Sequence, residues 1–324
     1  DAPLFVLNDR VEAIPGAAVV RRDTLFLPLA LVTEVLPRIL SERYRWDPAG
    51  ARLIEATAAV AARAPAHPGE VKPADAASPS GLKAHHIVTI DPGHGGVDPG
   101  NPGEAFPHGV KEKHVTLQIG LLLRDELRRR GVGVRMTRTT DTLIALGDRG
   151  RFCTESCDLF VSLHVNSLKR RPGYRNVRGF ETYFLAEAKT EDAARVARME
   201  NEAVRFETGG GVGEKASGID FILKDLQLNE HLRESARAAE LLQERLENVH
   251  SGPNLGVKQA GFMVLTTARR PAILVEMGYS TNPADARQMV EPEGQRALAR
   301  AMADAIVAYL AEWERKTGAA AGTN

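Results

Sequence analysis

The chain is poor in cysteine: its 324 residues hold two, at 153 and 157 in CTESC. That spacing is too wide for a CxxC redox or zinc motif. On a helix an i, i+4 pair is close enough to touch but poorly aimed for a bridge, so both are read as small buried residues. Excess charge is also missing. Lys plus Arg and Asp plus Glu each total 42, so nothing global draws the chain to nucleic acid or an anionic membrane. No apolar run approaches the roughly 20 residues that span a bilayer. No signal peptide is present, but the first residue is Asp1 rather than Met, so that absence is silent on export. There is no internal repeat.

What remains is an ordinary 43% hydrophobic content over a length that favours two domains. Residues 1–60 read as a small α+β module. FVLN, AVV and LFL look like strands, LALVTEVLPRIL like a helix bent near Pro37, and YRWDPAGARLIE like a closing hairpin. The module has no cysteine and no histidine, so no chemistry is assigned to it. It resembles the N-terminal domain of copper amine oxidases as found in wall-associated modules, through LFLPLALVTEVL and the WDP turn. Residues 61–84, rich in Pro, Ala and Ser without an apolar period, are a linker.

From 85 to 315 strand and helix signals alternate: strands at IVTID, VGVRMT, DLFVSLHV, GFETYFL, GFMVL and AILVEMG, and helices over 114–131, 147–157, 190–206, 223–246 and 293–314. The pattern predicts an α/β fold, a mostly parallel or mixed central sheet flanked by helices on both faces. Residues 316–324 are expected to be a disordered tail.

In open α/β sheets ligands collect where strands end at their carboxyl termini. Three predicted strands end in chemically loaded residues: IVTIDPGHGG with His94, DLFVSLH with His164, and AILVEMG with Glu276. A charged group at the end of a buried strand is costly unless paired, and a metal would pair all three. Glu112, at the start of the helix after the loop, lies within a loop's reach of His94. His94, Glu112 and His164 then leave one coordination position free, as catalytic zinc sites do. The glycines beside His94 would let the backbone approach the ion. His108 and His114 are rival ligands, while His67, His85, His86, His231 and His250 are read as structural. Asp98 and Asn166 are read as supporting or turn residues, and Arg149 as a buried anchor.

DPGHGGVDPG, KEK, MTRTTD, DLFVSLHVNS, GFETYFL and LVEMGYSTNP together resemble, in order, the zinc-dependent N-acetylmuramoyl-L-alanine amidases, over roughly residues 86 to 314. The resemblance implies hydrolysis of the amide bond joining muramic acid to the L-alanine of the peptidoglycan stem. It implies one Zn2+ on His94, Glu112 and His164, and Glu276 as the acid–base group. It also implies a bacterial envelope location, periplasmic or secreted. Family members with a long stretch after GFETYFL often use it to block their own site. Residues 186–224 form such a stretch, with Glu200 as the candidate blocking carboxylate and GGGVGEKASG as a hinge. A partner protein would then have to pull that helix away.

The loop LKRRPGYRNVR, 168–178, holds five basic residues and no acid. Its Arg170 and Arg171 are candidate contacts for the acidic stem. Two other functions compete. A two-His-one-carboxylate site also serves non-haem iron enzymes, but these need no basic Glu276 beside the metal. A wall-binding module with a decayed site is the other, and four intact positions argue against it.

Overall fold

A computed structural model describes residues 79–154, 156–207 and 231–318 and, upstream, Thr33 and the backbone of six short strands. The chain divides into two compact units, Asp1–Ala74 and Asp75–Asn324. In the first, β1 (Leu4–Leu7) pairs antiparallel with β2 (Arg10–Ala13), and β3 (Val19–Arg21) with β4 (Thr24–Phe26). The expected YRWDPAGARLIE hairpin is β5 (Tyr44–Asp47) on β6 (Arg52–Glu55). The helix expected at 29–40, the bend at Pro37, His67 and the linker up to residue 78 lie outside the described residues.

The second unit is built on a six-stranded sheet. Its elements in order are β7 (Ile87–Pro92), α1 (Glu112–Arg129), β8 (Gly133–Met136), α2 (Leu146–Arg149), β9 (Leu159–Asn166) and β10 (Phe180–Leu185). Then come α3 (Glu191–Asn201), α4 (His231–Glu247), β11 (Asn254–Ala260), β12 (Ala272–Tyr279), α5 (Pro283–Val290) and α6 (Pro292–Thr317). The strands lie in the order β11-β10-β12-β9-β7-β8. Only the β10/β12 pairing is antiparallel, so the sheet is mixed, as expected for strands buried on both faces.

Side chains alternate across a sheet with a period of two, and that period divides the core in two. Leu159, Val161, Leu163 and Val165 of β9 join Ile273, Val275 and Met277 of β12 on the face covered by α1, α4 and α6. Phe160 and Leu274 point to the opposite face, which α3 covers with Ala193, Val196 and Ala197. His164 and Glu276 share the parity of Phe160 and Leu274. The chemistry therefore sits on the α3 face.

Several boundaries differ from expectation. GFMVL is not a strand: Met263–Leu265 is a 3-10 turn, and the strand is the preceding NLGVKQA of β11. The predicted 147–157 helix stops at Arg149, and Gly150–Phe152 tightens into a 3-10 turn. Cys153 and Cys157 consequently lie on a turn, with Cα atoms 5.1 Å apart, and they form a disulfide. The expectation of two unbridged thiols fails because it assumed helical geometry. Leu82 is buried in the core, and the amides of Lys83 and Ala84 donate to Glu314 Oε1 at 2.8 and 2.7 Å. Ordered structure thus reaches back into the segment read as linker. At the other end α6 runs through Lys316 and Thr317, past the start of the expected tail. Among the described residues no helix is long and apolar enough to cross a membrane.

Candidate active site

His94 ends the β7 turn in a left-handed conformation with φ 61°, the only described non-glycine residue with positive φ. Such a backbone costs roughly 1–2 kcal/mol, and its surroundings hold it there. Arg149 donates to the carbonyls of Pro92 and His94 at 3.1 and 3.0 Å and pairs with buried Asp91 at 2.9 Å. Arg138 donates to the carbonyls of Pro92 and Gly93, both at 2.8 Å. Thr137 and Ser162 complete the coordination of Asp91 at 2.6 and 2.7 Å. Arg149, read from the sequence as a plain anchor, is thus part of the frame that aims His94.

The glycines leave room for the neighbouring side chains of the cluster. A Cβ on Gly93 would lie 2.6 Å from the His164 ring, and one on Gly100 would lie 2.6 Å from Glu112 Oε2.

The four buried residues His94, Glu112, His164 and Glu200 offer ligand atoms that all lie within 4.8 Å of one another, a set that could hold a metal ion. Glu112 opens α1. Its Oε2 accepts from the amide and side chain of Asn101 at 2.8 and 2.7 Å, and Oε1 accepts from the Val165 amide at 2.8 Å. Oε1 also lies 3.2 Å from His94 Nε2 and 3.4 Å from His164 Nδ1. Glu200 Oε2, coming from α3, lies 3.1 Å from the first of these nitrogens and 2.7 Å from the second. Yet His94 Nε2, His164 Nδ1 and Glu200 Oε2 are buried without a hydrogen-bond partner. Nitrogen and oxygen ligand atoms that converge this closely without hydrogen-bond geometry between them fit a divalent ion of the zinc or iron type.

The outer nitrogen of His94, Nδ1, is 2.8 Å from Asp98 Oδ2. A carboxylate there fixes the tautomer that presents Nε2 inward, and losing such a support costs about 10–100-fold in metal affinity. Asp98→Asn is expected to weaken binding of a divalent metal by about tenfold or more, read by competition with a chelating dye. An unchanged affinity would show Asp98 to be only a turn residue.

Burial opposes protonation of both rings, but it is outweighed. The charge of Glu112 and the bond from Asp98 raise His94 well above its ordinary value, and the charge of Glu200 raises His164 to about 9. Glu276 is fully buried, and neither of its carboxylate oxygens has a partner. Burial first, then the charges of Glu200, Glu112 and Glu181, push it well above the carboxylate range. In the strand register it lies directly beside His164.

Other predictions fall outside the cluster. His108 is exposed, and His114 Nδ1 accepts from the Lys111 amide at 3.1 Å, capping its own helix. His86 is buried between Asp158 and Glu314, and His250 between Phe180 and the Met277 carbonyl. Arg170 is 80% exposed and pairs with Glu104 at 3.2 Å, and Arg171 is exposed. Asn101, which the sequence did not single out, bridges Glu112 to the Val165 carbonyl and to Ser280.

The N-acetylmuramoyl-L-alanine amidase family model matches residues 88–308. The chain is 32% identical to N-acetylmuramoyl-L-alanine amidase AmiA of Escherichia coli, over 69% of this chain and 75% of that protein. It belongs to the N-acetylmuramoyl-L-alanine amidases. AmiC of Neisseria meningitidis is 33% identical over 69% of this chain and 52% of its own length. Among solved structures, an amidase from Clostridium difficile 630 superimposes with a TM-score of 0.52 at 25% identity, covering 70% of this chain and 97% of its own. AmiC2 of Nostoc punctiforme gives 0.50 at 28%, with the same two coverages. This amidase is therefore a cell-wall hydrolase whose substrate class is peptidoglycan, and its four-residue cluster could hold the metal of that reaction.

Proposed function

We propose that this amidase binds one Zn2+ on His94, Glu112 and His164, uses Glu276 as its acid–base group, and rests with α3 closed over the site. The observation that carries this reading is the set of unpartnered inward atoms, Nε2 of His94 and Nδ1 of His164 beside Oε1 of Glu112. An ion held there would supply Lewis acidity and lower the pKa of water from about 15.7 to about 7.

The chain's own groups do the rest. Glu276 takes a proton from the attacking water and returns one to the amine of the departing L-alanine. Its free oxygens suit both halves of that task. Asp98 and the Glu112 bonds keep the inner nitrogens and oxygen aimed.

Glu200 supports the closed state. It fills the cluster where substrate would enter, and α3 is pinned at both ends. Arg195 Nη1 donates to the Ser167 carbonyl at 3.1 Å nearer its start, while Asn201 holds Gly261 O and Met263 N at 2.8 and 2.9 Å. With His94 6% and His164 3% exposed, no polymer reaches them, so a partner protein that draws α3 away is part of the proposal. The GGGVGEKASG hinge lies outside the described residues. A disulfide at Cys153–Cys157 favours an oxidising compartment, in keeping with the periplasm or cell exterior where peptidoglycan lies.

Digestion of purified peptidoglycan tests the reaction. Free stem peptides beginning at L-alanine should appear, a chelator should stop their release, and elemental analysis should find about one zinc per chain. Iron in place of zinc, or cleavage between sugars, would refute the proposal. Reversing the charges of Arg170 and Arg171 is expected to raise KM about two- to fivefold, the scale of exposed ion pairs. A constant KM removes that loop from substrate binding.

A further inference from the structure

Strand register gathers more than the cluster on the α3 face. Glu276 of β12 is the Cα partner of both His164 on β9 and Glu181 on β10. Lys258 of β11 is the partner of Tyr183, two residues beyond Glu181. Directly paired residues share a face, so Lys258, Glu181, Glu276 and His164 form a row across four adjacent strands. At about 4.8 Å per strand the row is about 14 Å long.

Helix α3 lies along this row. Its Asp192 Oδ2 is 3.5 Å from Lys258 Nζ, and its Glu200 Oε2 is 2.7 Å from His164 Nδ1. Eight helical residues rise about 12 Å, which matches the row. The helix thus sets one carboxylate on the cluster and a second on Lys258 at the far end of the row.

Lys258 is well fixed for recognition. Its ammonium bonds fully buried Glu181, whose other oxygen accepts from Asn166 Nδ2 and Tyr183 Oη at 2.7 and 2.9 Å. Only its Asp192 side is lost when α3 leaves, which bares an oriented ammonium on a strand whose backbone lies about 14 Å from that of His164. An extended peptide covers that distance in about four residues.

We infer that Lys258 is a specificity-determining residue that binds a stem-peptide carboxylate three to four residues from the scissile amide, and that Asp192 takes that carboxylate's place while α3 is docked. The inference rests on the reading that α3 covers the active site.

Binding of a synthetic tetrapeptide stem to the full chain tests it without turnover, using the peptide with free carboxylates and its fully amidated counterpart in calorimetric titrations. Asp192→Asn is expected to tighten the acidic peptide severalfold and leave the amidated one unchanged. Lys258→Gln in that background is expected to weaken the acidic peptide about tenfold or more, the scale of a charge-assisted bond, and again spare the amidated peptide. Lys258→Arg should retain the preference, which separates recognition from a mere packing role beside Glu181. No binding to the Asp192→Asn protein, or equal loss for both peptides in Lys258→Gln, overturns the inference. Zinc content and peptidoglycan cleavage are measured separately, so failure of the active-site reading appears there and not in the preference.

Discussion

Replacing Glu276 with Gln is expected to leave a folded, zinc-loaded protein whose kcat is about 10²–10⁴-fold lower, the usual worth of general acid–base help. The amide keeps the shape of the side chain and removes its capacity to carry a proton. Zinc content should stay at the wild-type level, because Glu276 is not among the residues that converge on the cluster. His94→Ala, by contrast, should lose metal and activity together. A stability measurement sharpens the contrast. Both oxygens of Glu276 are buried without a partner, and an unsatisfied buried polar group costs about 1–3 kcal/mol. Glu276→Leu is therefore expected to be inactive yet more stable than wild type by a value of that order. Near-normal turnover in the Gln protein would remove the residue from the mechanism. Destabilisation of the Leu protein would mean that the carboxyl is satisfied in solution.

The sequence was most informative where one side chain interrupts a strong pattern. DLFVSLH and AILVEMG are apolar strands broken by one polar group, and in the sheet His164 and Glu276 prove to be register neighbours. Strand order itself could not be read. The β10/β12 pairing that sets Glu181 beside Glu276 joins segments about ninety residues apart, and no local signal encodes it. Lys258 was hidden in the same way: β11 reads as NLGVKQA, with too little alternation to stand out beside the more apolar GFMVL. The cysteine pair shows the opposite failure. Two residues four apart suggested a helix, but Gly150 starts a tighter turn because a Cβ there would meet the Ala268 amide at 2.6 Å. The turn then brings the sulfurs within bonding distance.

Releasing α3 should give the largest gain of function. Glu200 is buried and meets both inner histidine nitrogens. Removing one partner of such a buried pair typically costs 3–5 kcal/mol, which shifts the docked-to-released balance by about 10²–10⁴-fold. Glu200→Gln is expected to raise activity on soluble peptidoglycan fragments up to that factor, and deletion of residues 186–224 should do the same. An unaltered rate in both would refute the block. In metal-free protein the same contact has a pH signature. His164 is raised from 6.5 to about 9 because the charge of Glu200 outweighs burial. Stability from a raised histidine is fully present below its unfolded value and is lost as pH climbs through the folded one. The Tm advantage of metal-free wild type over metal-free Glu200→Gln should therefore be greatest near pH 6 and shrink through about pH 9. Zinc requires neutral histidines, so rising pH weakens the α3 contact and favours the metal together. An advantage that is flat with pH would mean that Glu200 docks without its charge.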